Sequence, residues 1–185
     1  MATTVAHGLI GICAFCAANA TLPAGRRLPI ELSWLVIAFV AANLPDIDII
    51  FGLVLSGNHS ALHGGVTHSL AFATFCTLVA LVTWRDPRQR IIFALLVGFL
   101  VVSHIIVDTL TGPQLGLHEG SGTPLLWPFV RDRITMPITA FKGVNHGNLF
   151  PDALFTAAFE LMLLTPAAAA AIYFSRRRLG PTSCR

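Results

Sequence analysis

Residues 91–108 read Ile91-Ile92-Phe93-Ala94-Leu95-Leu96-Val97-Gly98-Phe99-Leu100-Val101-Val102-Ser103-His104-Ile105-Ile106-Val107-Asp108. No charged side chain interrupts this run before Asp108. A helix that crosses the hydrocarbon of a bilayer needs roughly 17–25 mostly apolar residues. The stretch over 91–107 therefore predicts a membrane-spanning helix, and its far end carries a histidine and an aspartate. Four further stretches read the same way: residues 5–22, 32–45, 69–84 and 153–174, the last interrupted by Pro166. The clean apolar part of the second is short, and it can continue past Asp48 into Ile49–Leu55 as a broken or re-entrant piece. The expected fold is all-α. It is a polytopic membrane helical bundle of about five spans in one domain, with a long outer loop over 109–152.

The composition agrees. Of 185 residues, 55% are hydrophobic and 11% charged, where soluble domains carry about 25% charged residues. Mean hydropathy is +0.73. The net charge of +3 comes with no basic patch interleaved with aromatics, so nucleic acid is not an expected partner. Cys13 and Cys16 form a CxxC spacing, but inside an apolar helix they read as small packing residues rather than a redox pair. Ala18-Asn19-Ala20 has the form of a signal-peptidase site, yet the first arginine is Arg26 and a signal peptide needs a positive n-region before its apolar segment. The first stretch is accordingly expected to be a mature span.

Arginines and lysines set the expected orientation. Arg26 and Arg27 lie between the first two stretches, and Arg85, Arg88 and Arg90 between the third and fourth. Arg176, Arg177, Arg178 and Arg185 follow the fifth. With five spans all of these share one face, which should be cytoplasmic. Only Arg131, Arg133 and Lys142 fall on the other. The N-terminus is then outside and the C-terminus inside.

The histidines and the aspartates at span ends gather on that outer face. His7 opens the first stretch, Asn43, Asp46 and Asp48 close the second, and His59, His63, Thr67, His68 and Ser69 precede the third. His104 and Asp108 close the fourth, while His118, His146 and Asp152 lie in the outer segment. An ionised group near the bilayer centre costs on the order of 2.5–3.5 kcal/mol on insertion scales. Several such groups need a compensating partner, and a divalent cation takes carboxylates and imidazoles as ligands. His104 and Asp108, four apart on a helix, cover one face; Asp46 and Asp48 beside Pro45 can face one cavity. Gly64 and Gly65 place His63 in a turn, and Thr67 is the expected N-cap of the third helix. His59 and His118 read as loop residues without a role. Each pair alone is compatible with a local hydrogen bond or a helix-ending turn. The pattern is informative because four separate segments deliver His or Asp to one membrane face.

At these residues the chain resembles the YdjM-type family of multi-pass bacterial inner-membrane proteins. The resemblance rests on His7, Leu44-Pro45-Asp46-Ile47-Asp48, and His63-Gly64-Gly65-Val66-Thr67-His68-Ser69. It continues through Ser103-His104-Ile105-Ile106-Val107-Asp108-Thr109-Leu110-Thr111 and Pro124-Leu125-Leu126-Trp127-Pro128-Phe129. The family pattern has His-Arg-Gly where this chain has His63-Gly64-Gly65, and its interval between the fourth and fifth motifs is shorter. The resemblance implies a metal-dependent hydrolase. More distantly, the scattered His/Asp pattern is similar to the helical zinc phospholipase C and P1 nuclease group, an analogy of fold and site alone.

The expected chemistry is metal-assisted hydrolysis. His7, Asp46, His68, His104 and Asp108 are the candidate metal ligands, with Asp48 and His63 as additional ligands or general base. Mixed His/Asp ligation suits Zn or Mn, as one or two ions, better than Ca. Arg131, Arg133 and Lys142 are candidate contacts for a phosphate or another anion. Membrane lipid is the expected surrounding, and a lipid-linked or phosphorylated compound the expected substrate. Two other classes compete: a metal-ion or proton transporter, and a non-catalytic protein whose metal staples short helices. The cytoplasmic halves of the spans lack ionisable residues except Glu160, which argues against a through-path. No HExxH and no GxSxG occurs, so a zincin protease and a serine-hydrolase elbow are not expected. Pro124–Phe129 reads either as a hydrophobic flap over the site or as an aromatic interface anchor.

Overall fold

Thr3 accepts a hydrogen bond from the Ala6 N–H at 3.2 Å and starts helix α1, Thr4–Thr21. In the computed structural model, which describes residues 2–143 and 152–179, five more helices follow. They are α2 (Leu32–Ala42), α3 (Ile47–Ser56), α4 (Leu70–Thr83), α5 (Arg90–Thr109) and α6 (Asp152–Leu179). Between α5 and α6 the chain forms one short parallel pair, β1 (Thr111–Gly112) with β2 (Phe141–Lys142), Thr111 lying opposite Phe141. The protein is an all-α bundle.

Every apolar stretch read from the sequence is helical, and the lengths differ in an informative way. Helices α1, α5 and most of α6 are long and apolar enough to cross a membrane. Helices α2 and α3 pass that test only together, across a 54° bend. The break falls at Pro45, whose missing N–H and ring remove a helix hydrogen bond and crowd the preceding turn, whereas α6 runs on through Pro166. Asn43 ends α2 by donating its side-chain amide to the Phe39 carbonyl at 2.8 Å. Helix α4 has 14 residues, about 21 Å at 1.5 Å per residue, short of a hydrocarbon core of about 30 Å. Among the described residues, three helices are long and apolar enough to cross a membrane, or four if the bent pair is one span, and α4 is a shorter fifth apolar element. Its N-cap differs from the expected one: Ser69, not Thr67, accepts from the Phe72 N–H at 3.2 Å.

Helix α5 is the central one, with 56% of its apolar window buried against 11% for α6. Helix α1 packs on α6, α2 and α5, and α4 packs on α5. Gly8 and Gly11 let α1 and α2 approach, since a Cβ at Gly8 would overlap the Phe39 ring and one at Gly11 the Ala42 methyl. Gly98 of α5 similarly accommodates Thr77 of α4. The free cysteines Cys13 and Cys16 sit in α1, and Cys16 is a buried packing residue beside Phe15.

The bundle has two chemically distinct ends. At one, Trp34, Trp84 and Phe93 pack together, with Trp34–Trp84 centroids 5.5 Å and Trp84–Phe93 centroids 3.9 Å apart. There Arg27 Nη1 donates to the Arg178 carbonyl at 3.5 Å and Arg176 Nε to the Ile30 carbonyl at 3.0 Å. This end carries the arginines of the α1–α2 and α4–α5 connections and of the end of α6. The other end holds the start of α1, the α2–α3 break, the turn before α4 and the end of α5, and it carries the histidines and carboxylates.

Candidate metal centre

Four elements build the centre, and each delivers its side chain for a local reason. His7 lies one turn into α1, beside the glycine that allows close approach to α2. His104 and Asp108 share one face of α5. Asp46 and Asp48 flank the α2–α3 break, where a single 3-10 turn over Leu44–Asp46 redirects the chain. His68 ends a second 3-10 turn, Val66–His68, immediately before α4. All five expected ligands come together. His7, His68, His104 and Asp108 are at most 1% exposed, and the Asp46 side chain is 11% exposed.

Backbone and hydroxyl contacts decide which ring nitrogens face inward. His104 Nδ1 lies 2.8 Å from the Ala42 carbonyl oxygen. A carbonyl only accepts, so Nδ1 carries a proton and Nε2 is the nitrogen turned toward the centre. His68 Nδ1 lies 3.3 Å from Asp48 Oδ2, which likewise leaves Nε2 for the centre. These two Nε2 atoms are 3.2 Å apart. His68 Nε2 is 3.7 Å from Asp46 Oδ1 and 3.2 Å from Asp108 Oδ2. His104 Nε2 is 3.5 Å from Asp46 Oδ1 and 3.3 Å from Asp108 Oδ2.

Those distances are edges of a small polyhedron of two nitrogens and two oxygens. Donors that share one zinc ion at about 2.0–2.2 Å stand roughly 3–3.5 Å from one another. The five edges above run from 3.2 to 3.7 Å. Two ring nitrogens at 3.2 Å need a proton or a cation between them. The donor set therefore fits a divalent cation in chemistry and in size.

Unsatisfied atoms point the same way. Both ring nitrogens of His7 and both oxygens of Asp108 are buried without a hydrogen-bond partner. His7 Nε2 approaches Asp108 Oδ1 to 3.3 Å, but not with hydrogen-bond geometry. The His7 ring stacks on His104 at 3.6 Å between centroids, with 16° between planes. Buried polar atoms are satisfied in the great majority of native structures, so four orphans in one cluster indicate a ligand. Three overlapping trios can hold an ion: His7, Asp46 and His104; Asp46, His63 and His68; His68, His104 and Asp108. Asp46 belongs to two of them, and so links the deep cluster to His63.

Asp48 and His63 form the outer layer. His63 Nδ1 lies 2.9 Å from Asp48 Oδ1 and 3.9 Å from Asp46 Oδ1. Asp48 Oδ2 also accepts from the Thr67 hydroxyl at 2.7 Å and the Gly64 N–H at 3.1 Å. Gly64 has φ +73°, a left-handed conformation that glycine adopts without the Cβ penalty. Thr67 thus serves the centre rather than the helix start. Such contacts to ligating or base residues set their orientation. The same group shapes the protonation of His68, which lies outside the helices. Burial opposes its charge, but the carboxylates of Asp108, Asp46 and Asp48, 3.2–3.7 Å away, prevail and raise its pKa from 6.5 to about 11.

A cavity of about 430 Å³ adjoins this layer, lined by Asp48, His63, Gly64 and Thr67 on one side and by Phe51, Leu55, Leu62, Val66 and Arg133 on the others. Of the three cationic residues expected to bind an anion, Arg133 reaches this cavity. Lys142 lines a separate cavity beside Glu160, and Arg131 is exposed and lines neither. Trp127 is half-buried and Phe129 is 93% exposed. His118 is exposed. His146 and the Asp152 side chain lie outside the described residues.

Over residues 1–179 the chain matches the family described as YdjM inner membrane protein. No curated protein and no solved structure matches it.

Proposed function

We propose that this chain, which belongs to the YdjM inner membrane protein family, is a membrane-embedded metal-dependent hydrolase of a phosphoester or lipid-linked substrate. The observation that carries the reading is the buried His68–His104–Asp46–Asp108 cluster beside a cavity that Asp48, His63 and Arg133 line. The family and the apolar helices place the chain in the membrane. The arginine-rich end then sits in the cytoplasm and the centre at the opposite face.

His68, His104, Asp46 and Asp108 would hold the ion, with His7 beside Asp108 as a fifth donor. Zn or Mn suits this mixed nitrogen and oxygen set. A second ion would use the trio of Asp46, His63 and His68. When bound, a divalent cation supplies Lewis-acid polarisation of the ester and of a water molecule. The chain's own groups do the rest. Asp48, held by Thr67 and Gly64, orients His63 through Nδ1, so the other ring nitrogen is the basic one and takes the proton of the attacking water. The water oxygen bonds to phosphorus, the ester P–O bond breaks, and the leaving oxygen takes up the proton. Arg133 neutralises charge on the non-bridging oxygens.

A structural staple is the second reading, favoured by one feature: four protein donors with almost no exposure describe a closed coordination shell. Phosphomonoester, phosphodiester and phospholipid substrates, offered to full-length protein loaded with Zn or Mn, separate the two. Turnover lost in Asp48→Asn, with metal content retained, supports the hydrolase. Stoichiometric metal with no turnover on any of the three classes leaves the staple.

A further inference from the structure

The cavity beside the centre combines features that select one kind of molecule. Its volume is about 430 Å³, at the small end of ligand sites, which run from roughly 300 to 1,000 Å³. That holds a headgroup and the start of a chain, and it cannot enclose a whole membrane lipid. Its inner wall is polar: Asp48, His63 and Thr67. Its outer wall is apolar: Phe51, Leu55, Leu62 and Val66, which are 50%, 75%, 47% and 46% exposed. The apolar wall continues along α3, where Ile50, Leu53 and Val54 are 60%, 56% and 75% exposed. An aqueous mouth built from bare leucine and phenylalanine would be costly. A mouth that opens into lipid is not.

One cation completes the wall. Arg133 lies beside Ile134, which pairs with Thr123 in an antiparallel bridge through N–H to carbonyl bonds of 3.1 and 2.9 Å. Its Nε donates to the Ser121 and Gly122 carbonyls at 3.3 and 3.2 Å. Gly122 has φ +67°, and a Cβ there would stand 2.9 Å from the Ile134 oxygen and 3.2 Å from Arg133 Cβ. The loop thus ties Arg133 into the wall of the cavity that Asp48 and His63 also line. The bidentate fork of a guanidinium matches a phosphate.

We infer that the substrate is a chain-bearing phosphate ester of the membrane itself, admitted sideways from the lipid. Its phosphate is held between Arg133 and the metal centre, and its hydrocarbon chain leaves over Phe51 and Leu55 along α3. The inference rests on the hydrolase reading and narrows it: a water-soluble phosphoester with the same headgroup lacks the contact that the exposed wall provides.

The test uses full-length, Zn-loaded protein in nanodiscs, with phosphatidic acid and phosphatidylglycerol each offered as the dibutyryl and the dioleoyl form. The dioleoyl forms should be cleaved at least about tenfold faster at equal concentration, and Leu55→Gln should shrink that preference. Arg133→Gln should raise KM for the dioleoyl substrate by about tenfold, with kcat little changed and Arg133→Lys restoring part of the loss. Equal rates on short and long chains, or Arg133→Gln and Leu55→Gln kinetics indistinguishable from wild type, would overturn the inference and leave the hydrolase standing. No turnover of any of the four overturns both.

Discussion

His104 Nδ1 and the Ala42 carbonyl oxygen stand 2.8 Å apart, and this one bond ties the tautomer of a central histidine to the break between α2 and α3. The Ala42 carbonyl is available because the helix stops there. A continuous helix would have used it, and Pro45 disfavours that. Replacing Pro45 by alanine would let α2 extend, withdraw the acceptor from His104 and shift Asp46. Purified Pro45→Ala is expected to bind zinc roughly 10–100-fold more weakly than wild type, the usual cost of losing support for a ligating histidine. Zinc competition against a chelating dye measures it. Unchanged affinity would mean that the break does not set the centre.

His104→Ala and Asp108→Ala each remove a donor from the His68, His104 and Asp108 trio. Each is expected to purify with less than about a tenth of the wild-type metal, since the donors that remain bind far more weakly than the full set. His118→Ala, on an exposed loop residue, is the control and should keep full metal content. Elemental analysis of detergent-purified protein decides this. Equal metal in all variants would remove the centre from these residues.

Much of this arrangement was legible in the sequence. Every expected ligand is an ionisable residue near an end of an apolar helix, where insertion cost makes it conspicuous, and the i,i+4 spacing of His104 and Asp108 already put both on one face. The partners that fix orientation were not legible. The Ala42 carbonyl and the Gly64 N–H belong to the backbone and acquire roles only when distant segments meet. Thr67 and Ser69 both suit a helix start, and only the path of the turn decides that Ser69 caps α4 while Thr67 donates to Asp48. Arg131 and Arg133 are two residues apart in one loop. Nothing local distinguishes them, and the bridge between Thr123 and Ile134 is what brings the second to the cavity. The apolar stretch over 69–84 forms α4 from Leu70 to Thr83, with Ser69 and Trp84 as its caps.

Thr67→Val tests the outer layer without changing side-chain shape much. The hydroxyl donates to Asp48 Oδ2 at 2.7 Å and stands 3.0 Å from His68 Nδ1. Its loss leaves a buried carboxylate one donor short, which costs about 1–3 kcal/mol. The variant should fold, keep α4 because Ser69 remains its cap, and lose metal affinity by roughly tenfold or more. Thermal unfolding in detergent and zinc titration give the two readouts. A Thr67→Val protein with frayed α4 and normal zinc affinity would restore the capping role.

Gly8→Val addresses how α1 reaches the centre. The added carbons would overlap the Phe39 ring, so α1 must move away from α2 and carry His7 with it. Overpacking of this kind costs typically about 1–3 kcal/mol. A lower midpoint of thermal unfolding in detergent is expected, and Phe39→Ala should relieve it in the double variant. Equal destabilisation with and without Phe39 would show that the two residues do not meet.

The raised pKa of His68 makes metal uptake depend on pH, and the sign follows from which form binds. Without metal, the three neighbouring carboxylates hold the His68 pKa at about 11, so the ring stays protonated well above neutrality. A cation needs the Nε2 lone pair, so binding must displace a proton. Below pH 11 each unit of rising pH makes that displacement easier, and apparent zinc affinity should climb by about tenfold per unit between pH 6 and 8 where one proton leaves. The opposite holds for folding of the metal-free protein. A pKa raised above its unfolded value stabilises the fold fully below about pH 6.5 and progressively less as pH climbs toward 11. Zinc affinity by dye competition and proton release in weakly buffered solution read the two quantities directly. Affinity that does not change with pH, together with no proton released, would mean that His68 is neutral before metal arrives.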